Sequence, residues 1–390
     1  MLSFENTEVA FAAKSNSELN KAYWLFKLIG NPALVKVGKQ ATSIALRLNL
    51  PLNWIIKPTI FQQFCGGETI DECSKTIARL GHSKIGTILD YSVEGKEDEA
   101  SFDATCAEIM ATLERAAKEP QHIPFSVFKL SGLGTLSLLE SINSGLNELS
   151  DAGRLQYLDF HARVERICKR AFELGVPVFI DAEESWIQDG IDRIAAEMMN
   201  KYNRSKAIIY NTIQLYRHDR LAFLKESFAQ AQGEGYYLGV KLVRGAYMEK
   251  ERDRAERMGY LSPIQPNKEA SDRDFDAALA FCVENRDRIA ICAGTHNEKS
   301  SRLLASLMEK HGVAPGDPHF YFAQLLGMSD HISYNLAHNG FLVAKYVPYG
   351  PVKEVLPYLI RRAEENTSVK GQTGRELSLI ISEKNRRRRN

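Results

Sequence analysis

The sequence predicts an α/β chain whose eight strands close into a distorted, TIM-like (β/α)8 barrel, with a helical region before it and a final helix over its mouth. Three observations carry this. From residue 85 onward, short β-rich apolar runs alternate with longer amphipathic stretches, the texture of βα units feeding a parallel sheet. Eight such runs can be counted, the number that a closed barrel requires. A doubly wound sheet would want a glycine-rich phosphate turn after its first strand, and no G-x-G-x-x-G stands there.

Composition fits a folded body. The 390 residues, 44% hydrophobic and 25% charged, supply a large core and exclude a disordered, collagen-like or disulfide-scaffold chain. With 50 basic and 49 acidic residues the formal charge is +1, so no global field recruits nucleic acid. The six cysteines, at 65, 73, 106, 168, 282 and 292, form no CxxC pair and no Cys/His cluster at zinc spacing. Reduced, mostly buried thiols in a cytosolic compartment are expected.

Residues 1–84 read as helical. One helix runs from Ser17 to Leu28, with Ser15 or Ser17 as its cap and Tyr23, Trp24, Phe26 and Leu28 as apolar surface. The start, MLSFENTEVAF, places Glu5 and Glu8 before any basic residue and has no signal-peptide pattern. The stretches WLFKLIG (24–30) and LNLPLNWIIKPTIF (48–61) are too short for a membrane span, and Lys or Pro interrupts them. A cytoplasmic location follows, with peripheral membrane contact left open.

The barrel is expected over residues 85–370, with strands at 86–95, 125–132, 176–184, 207–216, 237–247, 289–297, 319–327 and 342–350. Helical patterns such as 155–175 and 272–287 separate them. Lys129, Asp181, Gln214, Lys241 and His296 each interrupt an apolar run near its C-terminal end. A single polar residue at a strand end is usually just solvated. Five on five strands point to a site, because in a barrel those ends converge on one face.

The last barrel segment, PVKEVLPYLIRRAEEN (351–366), is amphipathic. At about 100° per residue, Val355, Leu356, Leu359, Ile360 and Ala363 share one face of the wheel. Tyr358, Arg361, Arg362 and Glu365 share the other, where Arg361 and Glu365 can pair four residues apart. That face is either a solvated charged surface or a fork for a small carboxylate, which paired guanidiniums can grip in bidentate fashion.

The tail, 371–390, ends in Arg386–Arg389. It reads either as a flexible end or as a contact for an anionic membrane, where each basic residue contributes about 1 kcal/mol. A metal reading of His296 with Asp181 and Glu183 lacks a third histidine nearby, so no metal is expected. Glu183 and Glu184 read as partners of the arginines or as solvated groups.

The strings KLVRGAY (241–247), GTHN (294–297), FAQLLGM (322–328), YVPYG (346–350) and YLIRRAEEN (358–366), in this order, resemble the flavin-dependent proline dehydrogenases. The wording is similar to the single-function, eukaryotic-type enzymes, over residues 85 to 370. The resemblance implies FAD-dependent oxidation of L-proline to 1-pyrroline-5-carboxylate, with electrons passed to a membrane quinone. This is the first step of proline catabolism to glutamate. No aldehyde-dehydrogenase domain fits after the barrel, so the next step is expected in another protein.

Residue by residue, the resemblance implies that Arg361 and Arg362, aided by Lys129, clamp the proline carboxylate. Tyr346 and Tyr358 would wall the ring, with Leu325 as an apolar contact. Asp181 would lie beside the substrate and the arginines, and Glu365 would orient Arg361. Ala182, Gln214, Lys241, Arg244, Gly245, Ala246, Thr295 and His296 would grip FAD, with Asp181 and Lys241 nearest the chemistry. Asp181 among arginines should stay ionised, an electrostatic organiser rather than a base. Lys241 and Arg244 would favour the reduced, anionic flavin and bind its phosphates.

Two residues depart from the pattern. Lys241 stands where many relatives have arginine, keeping the charge and losing the fork. Met248 stands where some bacterial relatives have tryptophan, and its thioether could still cover part of the flavin. Bulky Tyr346 leaves little room for a ring hydroxyl, which favours proline over hydroxyproline. The alternatives are a dehydrogenase of hydroxyproline or another cyclic imino acid, and a catalytically silent barrel bound to a membrane surface.

Overall fold

The computed structural model describes residues 2–31, 33–36, 38, 40, 56–92, 97–368 and 372–389; the side chains of Glu148 and of residues 364–368, 372 and 373 lie outside the description. The eight expected strands are all present: β1 (Ile85–Tyr91), β2 (Phe125–Phe128), β3 (Val178–Ile180), β4 (Ile209–Gln214), β5 (Leu238–Val243), β6 (Ile289–Gly294), β7 (Phe320–Leu325) and β8 (Val343–Tyr349). They form a closed barrel in chain order. β1 pairs with β8, and each strand from β2 to β6 pairs with the next, all in parallel. The strands read as apolar runs because nearly every residue in them is buried, as both faces of a parallel barrel strand must be.

The described helices are α1 (Thr7–Ala10), α2 (Asn16–Ile29), α3 (Ser74–His82), α4 (Glu99–Lys118), α5 (Leu136–Ser144), α6 (Asp151–Leu174), α7 (Ser185–Tyr202), α8 (Arg220–Glu234), α9 (Met248–Met258), α10 (Lys268–Glu284), α11 (Glu298–Lys310), α12 (Asp330–His338), α13 (Val352–Ser368) and α14 (Gln372–Arg389). Short helical turns also fill Lys57–Phe61 and Gln62–Phe64. The chain divides into two compact units, Gly95–Ala323 and Met1–Glu94 with Gln324–Asn390.

Within Gly95–Ala323, an aromatic cluster fills the core. Phe125 stacks on Phe179 at 4.5 Å and meets Tyr321 edge-on at 4.8 Å, while Tyr210 packs edge-on against both phenylalanines. Such offset and edge-on pairs add to the area they bury.

Within the other unit, Ser15 is the cap of α2. Its side chain and that of Glu18 form a reciprocal capping box. Phe26 is buried as expected, whereas Trp24 and Leu28 stand 55% and 52% exposed. The core of this unit joins Leu19 and Phe26 of α2, Phe61 and Phe64, Val355 and Leu359 of α13, and Leu379 and Ile380 of α14.

The arginine tail is a docked helix rather than a flexible end. Arg386 and Arg387 both pair with the fully buried Glu383 one turn back, at 2.8 and 2.6 Å. Arg387 also donates to Phe11 O, Lys14 O and Asn16 Oδ1, each at 2.9 Å. Carbonyls at the far end of the chain supply the acceptors, while Arg388 and Arg389 stay exposed. Among the described residues no helix is long and apolar enough to cross a membrane. All six cysteines are buried free thiols.

Candidate active site

In the unit Gly95–Ala323, the expected site residues stand at or just past the ends of four strands, with Lys241 inside a fifth. Lys129 follows β2; Asp181 and Ala182 follow β3; Gln214 ends β4; Thr295 and His296 follow β6. Lys241 lies within β5, and the Arg244–Gly245–Ala246 turn follows it.

Lys241 and Asp181 form an ion pair with side chains only 7% and 12% exposed. The Lys241 ammonium also rests 5.2 Å from the centre of the Phe179 ring. Thr212 Oγ1 donates to Asp181 Oδ1 at 3.4 Å. A buried charge must be paired in this way, since an isolated one is strongly disfavoured.

Arg244 ties the end of β5 to the start of α11. It donates to Asp272 Oδ1 at 2.6 Å, Thr295 Oγ1 at 2.8 Å and Ser300 Oγ at 2.9 Å, with its guanidinium over Phe275. Gly245 has φ +142°, and a Cβ there would run into the Tyr216 ring. Only glycine suits this turn. Met248, at the start of α9, is 42% exposed.

Glu183 reads from the sequence as a metal ligand, a partner of the arginines or a solvated group, and its surroundings differ from those expected. It is neither solvated nor, in its described contacts, held by an arginine. Only 3% exposed, its carboxylate accepts from Ser131 N at 3.0 Å and from Ser131 Oγ. Its backbone O accepts from Gln214 Nε2 at 2.7 Å, and its N donates to Gln188 Oε1 at 2.8 Å. Burial pushes its carboxyl up to about 7, against the opposing pull of the Ser131 hydrogen bonds and the Lys129 charge. The available signal was its place two residues past Asp181 on an extended run. Glu184 is also buried and pairs with Lys250. Among the described residues, no three His, Cys, Asp or Glu side chains are grouped to hold a metal ion.

In the unit Met1–Glu94 with Gln324–Asn390, Leu325 ends β7 and is partly buried, and Tyr346 in β8 is buried. On α13 the expected apolar face packs inward through Val355, Leu356, Leu359 and Ala363. The polar face is not a solvated surface: Tyr358 is 7% and Arg362 6% exposed. Arg361 is partly buried. The Arg362 guanidinium lies 5.2 Å from the centre of the Tyr358 ring, a stacking that fixes the plane of its donor fork. The side chain of Glu365, expected to orient Arg361, lies outside the described residues.

The first unit's donors suit a large anionic cofactor with an amide-bearing ring. Lys241 and Arg244 supply cations, Gln214 a buried amide, Gly245 an open backbone, and α11 a helix N-terminus beside Thr295. The second unit's adjacent Arg361 and Arg362 suit a small carboxylate.

The family described as proline dehydrogenase matches residues 73–375. The chain is 33% identical to the proline dehydrogenase 1, mitochondrial, of Dictyostelium discoideum, over 98% of this chain and 74% of that protein. It is 31% identical to the hydroxyproline dehydrogenase of Xenopus laevis, over 99% of this chain and 90% of that protein. The crystal structure of proline utilization A from Bdellovibrio bacteriovorus, inactivated by N-propargylglycine, aligns over 93% of this chain with a TM-score of 0.73 at 20% identity, which shows a shared fold. This chain spans 38% of the length of that protein.

Proposed function

The chain belongs to the proline dehydrogenase family, and we propose that it oxidises L-proline to 1-pyrroline-5-carboxylate with FAD as its resident cofactor, electrons then passing to a membrane quinone. The observation that carries this reading is the stacked, buried Arg362 beside Arg361 on α13. Two adjacent guanidinium forks, one of them buried, suit the carboxylate of an amino acid.

The residues divide the work. Arg361 and Arg362, with Lys129, would hold the carboxylate and so fix the ring's orientation. Tyr346, Tyr358 and Leu325 would wall the ring and keep water from the reacting carbon. FAD, when bound, supplies the acceptor for the hydride that leaves that carbon. Lys241, held by Asp181 and Phe179, is a fixed positive charge that stabilises negative charge accumulating beside it. Arg244, Gly245, Ala246, Thr295 and His296 would hold the phosphates and sugar, and Ala182 and Gln214 the ring edge.

The Xenopus laevis relative raises the alternative of hydroxyproline. Tyr346 argues against it, since a buried phenol at that wall leaves little space for a ring hydroxyl. Dye-linked turnover of the two substrates decides the matter. L-Proline should win by a wide margin in kcat/KM; equal turnover, or a preference for trans-4-hydroxy-L-proline, would assign the chain to the other substrate.

Delivery of electrons to a membrane quinone asks for peripheral contact with an anionic surface. Arg388 and Arg389 would serve it, because Arg386 and Arg387 are engaged within the chain.

A further inference from the structure

The turn after β7, from Leu325 to Ser329, is fastened from several sides. Leu326 N donates to Tyr346 O on β8 at 2.8 Å. Gln63 Nε2 donates to Gly327 O at 2.8 Å. Lys345 Nζ donates to Met328 O at 2.5 Å and to Leu325 O at 3.4 Å. Ser329 N donates to the buried Glu376 carboxylate of α14.

The turn needs this support. Ser329 has φ +51°, a left-handed conformation that a residue with a side chain keeps only where its surroundings over-determine it. Gly327 has φ +77°, and a Cβ there would collide with the Gln63 carbonyl.

Lys345 is the least expected of these anchors. It is fully buried, and its ammonium also meets Asp330 Oδ1 at 2.9 Å, while Asp330 Oδ2 meets Lys14 at 3.2 Å. An aliphatic residue would fill a barrel strand without the desolvation of a charge. The lysine does what an aliphatic side chain cannot: it grips two carbonyls and a carboxylate at once. Leu325, at the head of the gripped turn, packs against the apolar cluster that contains Tyr358. Tyr346 is the next residue along β8.

We propose that Lys345 is a positioning residue for substrate discrimination, holding the Leu325–Ser329 turn so that Leu325 and Tyr346 present a fixed wall to the substrate ring. Glu376 makes the C-terminal helix part of the same support. The inference rests on the proline reading above, in which Leu325 and Tyr346 contact the ring.

The test is steady-state kinetics of the full-length Lys345→Met variant with L-proline and trans-4-hydroxy-L-proline, alongside flavin content and melting temperature. KM for proline should rise about tenfold with kcat held within about threefold, and the preference for proline should narrow about fivefold. Flavin content should not change. Should Lys345→Met fail to fold, the double variant Asp330→Asn/Lys345→Met, which also neutralises the carboxylate that Lys345 pairs with, takes the same measurements. A folded variant with unchanged KM and preference, whatever its melting temperature, overturns the proposal. A wild-type chain that turns over neither substrate overturns the enzyme reading beneath it instead.

Discussion

Lys241 on β5 and Asp181 just past the end of β3 form a buried ion pair, with the ammonium also resting on the Phe179 ring. Removing one member of such a pair leaves the other charge stranded, at a cost of about 3–5 kcal/mol. Lys241→Met should therefore lose most of its flavin and at least about a hundredfold in kcat/KM. Lys241→Arg, which keeps the charge, should recover part of both. Full flavin content and activity in the Met variant would remove Lys241 from the site.

In the proposed reading Arg361 holds the proline carboxylate. Arg361→Met should raise KM for proline sharply, since a hydrogen bond to a charged group contributes about 1.5–3 kcal/mol. Steady-state kinetics decide it, and unchanged KM would take Arg361 out of the substrate site.

Tyr346 is 8% exposed, so its phenol occupies interior space. Tyr346→Ser should open room for a ring hydroxyl and raise turnover of trans-4-hydroxy-L-proline relative to L-proline. Competition between the two substrates measures this, and an unaltered ratio would show that the phenol is not the steric gate.

Glu183 gives the protein a pH signature. Burial lifts its carboxyl from the ordinary 4.5 to about 7, so between those values the folded chain keeps a proton that the unfolded chain has released. The folded state then binds more protons, and stability falls as pH rises through that window, by up to about 3 kcal/mol. Thermal melts of wild type and Glu183→Gln should diverge there, the wild type losing ground to the variant as pH increases. Parallel melting curves across the window would contradict this.

The tail arginines divide into two pairs. Arg387→Ser removes the donor that joins Glu383 to Phe11, Lys14 and Asn16, and should lower the melting temperature by several degrees. Arg388→Ser/Arg389→Ser should leave stability and dye-linked turnover intact and weaken only binding to anionic vesicles. Equal losses of stability in the two variants would mean that the whole tail is structural.

The barrel was legible because its strands, buried on both faces, read as apolar runs whose interruptions fall near their ends. Strand lengths were overread: the run 176–184 shrinks to Val178–Ile180, with one further backbone bond from Asp181 N to Phe128 O at 2.9 Å. The apolar face of α13 was readable from helical spacing, but the burial of Tyr358 and Arg362 was not, because charge alone does not tell a solvated face from a binding one. The burial of Glu183 was not readable because Ser131, which satisfies it, lies past a different strand's end. The docking of Arg387 was hidden for a similar reason: its carbonyl acceptors belong to Phe11 and Lys14, at the opposite end of the chain.

The most direct measurement is the visible spectrum of the purified protein followed by anaerobic titration with L-proline. A flavin band that bleaches on adding proline is the predicted result, establishing cofactor, substrate and direction of hydride flow together. A flavin band that proline leaves unbleached, or no flavin band even after FAD is added, would contradict the account.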